Sequence, residues 1–247
     1  MAVSISGDGN IGGITSFNGG GLAFRNILYN GWVNTNNEIN QRSRTISQVS
    51  NGDYWADRWQ RVSSTTMTQK IEESNYVPGR TYTLSGTNVT TVQITSPASG
   101  TWNWGTVPSN ASLVQLELGD SASSFEYRPY GLELSLCQRY YETGTVLGLS
   151  GILHNNGDTR GSIISFKNTK RIAPSMVGGP IQIFTVGPTG SNVNLTCSII
   201  TYATSPLGFV PSILDNVTNL FNATGGSGSC IAWSLRNSIN WAADSEL

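Results

Sequence analysis

Alternating apolar and polar positions run through most of the chain and predict β-strands rather than helices. In residues 66–74, Met67, Gln69 and Ile71 fall on one face, and residues 91–96 alternate in the same way. Such segments recur roughly every eight to twelve residues, with turn signals such as Pro78-Gly79 between them. This spacing predicts a jelly roll or β-sandwich over residues 22–131.

Residues 132–143 have helical spacing instead. Their apolar side chains form two neighbouring stripes on a helix, which are Leu132, Leu136 and Tyr140, and Leu134, Cys137 and Tyr141. A short helix that is apolar nearly all round must be buried on several sides. We therefore expect a linking helix that lies between two β domains or between subunits.

Residues 144–247 return to the strand pattern, with candidate strands at 161–167, 180–186, 194–201 and 228–235. Residues 207–221 are ambiguous, because their apolar spacing suits a short helix that Pro211 would limit. The chain is thus predicted to be all-β, with a jelly-roll domain at 22–131, a linking helix at 132–143 and a C-terminal β-sandwich domain at 144–247.

Residues 1–21 are rich in glycine and carry isolated apolar residues, namely Ile5, Ile11, Ile14 and Phe17. A segment that cannot bury its own apolar side chains is either disordered or ordered by a partner. The regular apolar spacing favours an extended arm that anchors the protein to another subunit or to a larger particle.

Composition narrows the classes of function. The chain has 28 glycines, only 12% charged residues and a net charge of −1. This turn-rich, weakly charged composition is typical of rigid extracellular or virion β proteins, and the absence of a basic field argues against a nucleic-acid partner. No apolar stretch is long enough for a membrane span. The start of the chain lacks the features of a signal peptide, so synthesis in a cytoplasm is expected.

Candidate catalytic chemistry is sparse. The three cysteines lack metal-binding spacing and are expected to be free thiols. The sequence contains a single histidine, His154, and no nucleophile motif with which it could form a catalytic site. Paired acids for glycoside cleavage would have to come from Asp53 with Asp57, Glu72 with Glu73, or Glu117 with Asp120. We expect no catalysis and no cofactor. Asp53, Asp57, Glu117 and Asp120 are also weak candidates for a structural Ca²⁺ site, because carboxylates suit that ion.

Aromatic residues are the better binding candidates. Trp102 and Trp104 are two residues apart and share one face of a predicted hairpin strand, where their rings would stack on sugar or fill the sandwich core. Trp32, Trp55 and Trp59 are expected in the core, whereas Trp233 and Trp241 are expected near the last strands or at a subunit interface.

Several segments resemble one protein family. They are NILYNGWVNTNNEINQR at 26–42, YWADRW at 54–59, GTW with VP at 100–108, FEYRPYGLELSLCQRYYE at 125–142, FKNTKRIAP at 166–174 and ADSEL at 243–247. Together they resemble bacteriophage virion proteins of the tail-fibre and head-fibre type, which contain a jelly-roll, carbohydrate-binding-module-like domain. The resemblance covers residues 22–174 well and the remainder loosely.

The resemblance implies particle architecture rather than a reaction. It implies a homotrimer located in the virion, in which Leu132, Leu136 and Tyr140 would meet their copies around an axis. The leading expectation is a tail fibre or receptor-binding component that attaches to host surface polysaccharide and contacts a tail adaptor or baseplate. A capsid decoration protein is the alternative, and a small glycan depolymerase is a third.

Overall fold

The computed structural model describes residues 24–146, 150–154, 159–161, 164–178, 180–186, 192–213, 230–235 and 239–246. The predicted arm with Ile5, Ile11, Ile14 and Phe17 lies outside the described residues. Strands dominate the described chain, and they pair in antiparallel sheets around one short α-helix. The predicted all-β class is confirmed.

Seven short strands form before the helix. They are β1 (Tyr54–Ala56), β2 (Trp59–Ser63), β3 (Thr66–Thr68), β4 (Thr81–Thr87), β5 (Val92–Thr95), β6 (Val107–Pro108) and β7 (Ser112–Leu118). They make a four-stranded sheet in the order β1-β2-β3-β6 and a three-stranded sheet in the order β5-β4-β7. Two short 3-10 helices accompany them: Ile46–Gln48 precedes β1, and Glu73–Asn75 lies between β3 and β4.

The core of this part is aromatic and aliphatic. Trp55, Trp59 and Trp102 are buried in one cluster together with Met67 and Ile71, as the alternation in residues 66–74 predicts. The turn before β4 forms as expected, because Gly79 adopts a φ of 65° that side chains rarely tolerate.

The helix α1 (Tyr130–Gln138) is shorter than predicted, and residues 141–143 belong to the next strand. Its buried residues are Glu133, Cys137 and Gln138, of which only Cys137 belongs to the two predicted apolar stripes. Leu132 is 38% exposed, and Tyr140 lies beyond the helix and is fully buried inside the chain. The prediction that Leu132, Leu136 and Tyr140 form an axial stripe is therefore wrong for Tyr140, whose ring is already enclosed.

In the described residues after the helix there are ten strands. They are β8 (Tyr141–Val146), β9 (Ser150–His154), β10 (Thr159–Gly161), β11 (Ile164–Ser165), β12 (Ser175–Gly178), β13 (Pro180–Val186), β14 (Asn192–Ser205), β15 (Gly208–Ile213), β16 (Cys230–Leu235) and β17 (Ile239–Asp244). They form a three-stranded sheet β12-β17-β8 and a seven-stranded sheet β10-β9-β16-β13-β14-β15-β11. Residues 208–213 are a strand, so the helical interpretation of that part of 207–221 is wrong.

Candidate functional site: a buried charged junction

Glu246, in the C-terminal tail after β17, forms a buried ion pair with Arg58, in the turn between β1 and β2. Arg58, whose side chain is 1% exposed, pairs with the carboxylate of Glu246 and donates a further hydrogen bond to the carbonyl of Lys70. Its guanidinium lies 3.6 Å from the ring centroid of Tyr140. The backbone of Arg58 has a φ of 69°, and its N–H also donates to Glu246. The two-residue turn thus directs both donors toward the tail.

Arg42 holds the same tail from a second direction. Its guanidinium donates to the Asp244 carboxylate at 2.9 Å and lies 3.5 Å from that of Glu246. The other side of the guanidinium faces the ring of Tyr141, with 3.6 Å from Cζ to the centroid. A planar cation can satisfy a carboxylate at its edge and an aromatic ring at its face, which an ammonium group cannot do equally well.

The backbone of the tail is also engaged. Ser245 donates from its N–H to the carbonyl of Tyr140 at 2.7 Å, and its hydroxyl donates to the carbonyls of Arg139 and Tyr140. Arg171 donates to the carbonyls of Ser245 and Glu246 at 3.0 and 3.2 Å. The tail is therefore held through main-chain and side-chain contacts together. We call Arg42, Arg58, Arg171, Asp244, Ser245 and Glu246 the tail junction.

A second buried pair lies next to the tail junction. Lys170 and Glu142 have fully buried side chains that pair with each other, and Lys170 also donates to the carbonyl of Gln138. Burial lowers the pKa of Lys170, and the hydrogen bond to Glu142 opposes that effect. Glu142 further accepts the N–H of Lys167, so both partners are fixed from two sides.

A third buried pair ties the start of α1 to residues 26–30, which precede the first strand. Arg128 donates to Glu133 at 2.9 Å and to the carbonyls of Leu28 and Asn26, and Glu133 accepts the N–H of Asn30. These contacts explain why the polar residue Glu133 is on the buried side of the helix. The sequence signal was the excess of Arg over Lys, 11 to 3, since arginine suits buried and bidentate pairs.

The predicted sugar-stacking residues are in the core. Trp102 and Trp104 are 4% and 5% exposed, and the ring of Trp102 packs edge-on against Tyr76 and Tyr82. Neither indole presents a face to solvent, so these two residues cannot form the predicted glycan platform. Trp241 is buried as well, against Phe166.

The candidate acids are held apart in separate contacts. Asp57 is buried, and Gln41 donates to both of its oxygens, while burial raises the pKa of Asp57 to about 7. It does not pair with the neighbouring Arg58, whose guanidinium pairs with Glu246 instead. Glu117 accepts bonds from Ser123 and Gln115; burial alone would raise its pKa, but these bonds hold the pKa below the ordinary range.

The remaining acids do not complete a site. Glu72 pairs with Arg139 at 3.2 Å, and Asp53 and Asp120 are exposed. Among the described residues, no group of three or more His, Cys, Asp or Glu side chains is arranged to hold a metal ion. The arrangement therefore does not bring the four Ca²⁺ candidates Asp53, Asp57, Glu117 and Asp120 together.

An open groove of about 720 Å³ lies on the β12-β17-β8 sheet. Its lining residues are Gln41, Thr143, Gly144, Thr145, Lys167, Val177, Asn240, Trp241 and Ala242. A second groove of about 600 Å³, near β4 and β7, is lined by Val77, Gly79, Arg80, Thr81, Leu118, Gly119 and Asp120.

No family model, curated protein or solved structure matches the chain. In the described part of the chain, no helix has the length and apolar character needed to cross a membrane.

Proposed function

We propose that this chain is a non-enzymatic structural protein of a bacteriophage particle. In this proposal it forms a homotrimeric tail fibre or receptor-binding component, with a jelly-roll first domain and a β-sandwich second domain, and attaches the particle to glycan on the host surface. The observation that carries the proposal is the tail junction. Arg42, Arg58, Arg171 and Glu246 come from four segments that resemble phage fibre proteins and are far apart in sequence.

The chemistry of the junction supports an architectural role. Guanidinium groups that are enclosed by carboxylates and aromatic rings hold segments distant in sequence in a fixed relative position, which a rigid fibre requires. The acids that a depolymerase would use are also engaged in structural contacts, with Asp57 on Gln41 and Glu117 on Ser123.

Exposed aromatic side chains support a capsid decoration protein as the second candidate. Tyr127 and Tyr130 are 70% and 52% exposed, and Phe24, at the point where the arm joins the body, is stacked on Arg128. Large exposed apolar side chains of this kind are typical of protein–protein contacts. They would suit a particle contact at the arm end of the molecule.

Cryo-electron microscopy of the intact particle tests the proposal. Density for the chain at the tail, as a trimer with residues 1–21 inserted in an adaptor or baseplate, is the expected result. Density on the capsid surface would replace the attachment role with the decoration role. Absence of the chain from purified particles, checked by mass spectrometry, would overturn both.

A further inference from the structure

The groove on the β12-β17-β8 sheet has a rigid base. Strand register places Val177, Ala242 and Thr143 in one row across the three strands, and Asn240 beside Thr145 in the next. The alternating residues Trp241 and Ala243 point to the other side, where they pack on Phe166. The lining side chains therefore stand on a sheet whose reverse side is buried.

The lining combines small side chains with neutral polar ones. Ala242 and Val177 provide small apolar side chains along the middle, whereas Asn240 and Thr145 provide an amide and a hydroxyl. Gln41 adds an amide oxygen, because the hydrogens of its Nε2 are already donated to Asp57 and to the carbonyl of Tyr141. Amide and hydroxyl groups both donate and accept hydrogen bonds, which matches the paired donor and acceptor character of sugar hydroxyls. The hydroxyl of Thr145 is already oriented by Asn240 at 2.8 Å. The volume is in the range of small-molecule sites.

The charge of the lining residues indicates which class of saccharide the groove would bind. Of the nine described residues that line the groove, Lys167 alone carries a charge, so the groove is locally positive. The second groove contains Arg80 together with Asp120 and lacks this imbalance. The lining also contains no pair of carboxylates, so a bound glycosidic bond would not be cleaved by acid–base chemistry.

We propose that this groove binds a segment of an acidic polysaccharide, with the sugar carboxylate near Lys167 and the hydroxyls on Asn240, Thr145 and Gln41. The assignment rests on the proposed attachment function and names its ligand class and site. It also moves the sugar site from the buried Trp102 and Trp104 to the sheet next to the tail junction.

Isothermal titration of the full chain with tetragalacturonate and with maltotetraose tests the assignment. The acidic probe is expected to bind more tightly than the neutral one. Lys167→Gln is expected to weaken the acidic probe about three- to tenfold, an effect that added salt reproduces, and to leave maltotetraose unchanged. Asn240→Ala is expected to weaken both probes.

Arg80→Gln, in the second groove, is the matched control and is expected to leave both affinities unchanged. Thermal melting of each variant identifies any that fail to fold, and Thr145→Val then provides a second substitution in the groove. Failure of the wild-type chain to bind tetragalacturonate at millimolar concentration would overturn the assignment, as would an equal loss on Arg80→Gln. Either result would leave the position of the chain in the particle, and hence the proposed function, to be decided by microscopy.

Discussion

Arg42 and Arg58 are each enclosed by a carboxylate and an aromatic ring. Removing two charges from water costs desolvation free energy. A buried ion pair offsets that cost only when its geometry gives most of the hydrogen-bond donors an acceptor. The net stabilisation by such a pair is small. Loss of one partner is expensive, however, because the other charge then stays buried without compensation. The residues of the tail junction are therefore sensitive positions.

Arg58→Met is expected to lower the free energy of unfolding by about 3–5 kcal/mol, because it removes the closer of the two cations that face the buried carboxylate of Glu246 and leaves only Arg42, at 3.5 Å. Urea unfolding measures the change. Arg139→Met is the control, since Arg139 is 40% exposed and its pair with Glu72 should contribute less than about 1 kcal/mol. The double variant Arg58→Met, Glu246→Leu should be more stable than Arg58→Met alone. Equal losses for Arg58→Met and Arg139→Met would contradict the buried-pair interpretation.

Asp57 makes stability depend on pH. Burial raises its pKa from an ordinary 3.8 to about 7, so the folded state holds this proton more tightly than the unfolded chain does. Its contribution to stability is therefore complete below about pH 3.8 and is lost as pH rises through 7. Asp57→Asn should remove this decline, although its amide cannot accept both bonds from Gln41.

The measurement for Asp57 is the free energy of unfolding at several pH values between 4 and 8. The wild-type chain should lose more stability across this interval than Asp57→Asn does. Asp53→Asn, which changes an exposed carboxyl directly before β1, gives the background. Parallel profiles for the wild type and Asp57→Asn would show that another group controls the pH dependence.

At the level of elements, the pairing of β8 with β17 depends on a glycine. Gly144 lies opposite Trp241, and a Cβ at position 144 would come within 2.4 Å of the indole. The indole covers the glycine backbone and joins the small cluster with Phe166 and Ala243. The space that a side chain would need is thus already filled by Trp241.

Gly144→Ala is expected to lower the free energy of unfolding by about 1–3 kcal/mol, because the indole or the strand must shift to admit the methyl group. Gly131→Ala is the matched control, since no atom lies within 4 Å of its would-be Cβ on the exposed side of α1. That variant should be neutral or gain up to about 1 kcal/mol through helix propensity. Denaturant unfolding compares the two, and a neutral Gly144→Ala would refute the packing argument.

Local patterns predicted elements well where one face is buried by neighbours along the chain. The prediction of residues 180–186 coincides with β13, and the alternation in residues 66–74 correctly places Met67, Gln69 and Ile71 in the buried interior. Hydrophobic patterns failed to predict burial where a charged or polar residue distant in sequence determines which side chain is buried. Glu133 is buried because Arg128 and Asn30 bind it, and Tyr140 is buried beneath Arg58. Hydrophobic spacing holds no information about such partners, so the prediction was wrong for Tyr140, while the interface role of Leu132 and Leu136 stays a prediction.

At the level of the whole molecule, residues 244 and 246 contact residues 42 and 58, which are distant in sequence. Arg42 meets Asp244 across 202 positions, and Arg58 meets Glu246 across 188. Closing loops of this length costs conformational entropy, which the contacts of the tail junction must offset. The tail is therefore the part that joins β17 and its sheet to the first strands.

Truncation after Ala243 tests this closure. It removes both acidic partners and the Ser245 contacts, leaving Arg42 and Arg58 with uncompensated buried charge, so we expect a loss of at least about 3 kcal/mol. Hydrogen exchange should rise around the N–H groups of Arg58 and Arg171 and in β8, while the distant pairing of β4 with β7 stays protected.

Removal of Leu247 alone keeps the named contacts and is the control. Unchanged stability after truncation at 243 would mean that the two strand-rich parts are joined by other contacts, and a uniform rise in exchange would mean that they unfold as one unit. The expected local rise would instead identify the tail as the element that holds β8 and β17 on the first part of the chain.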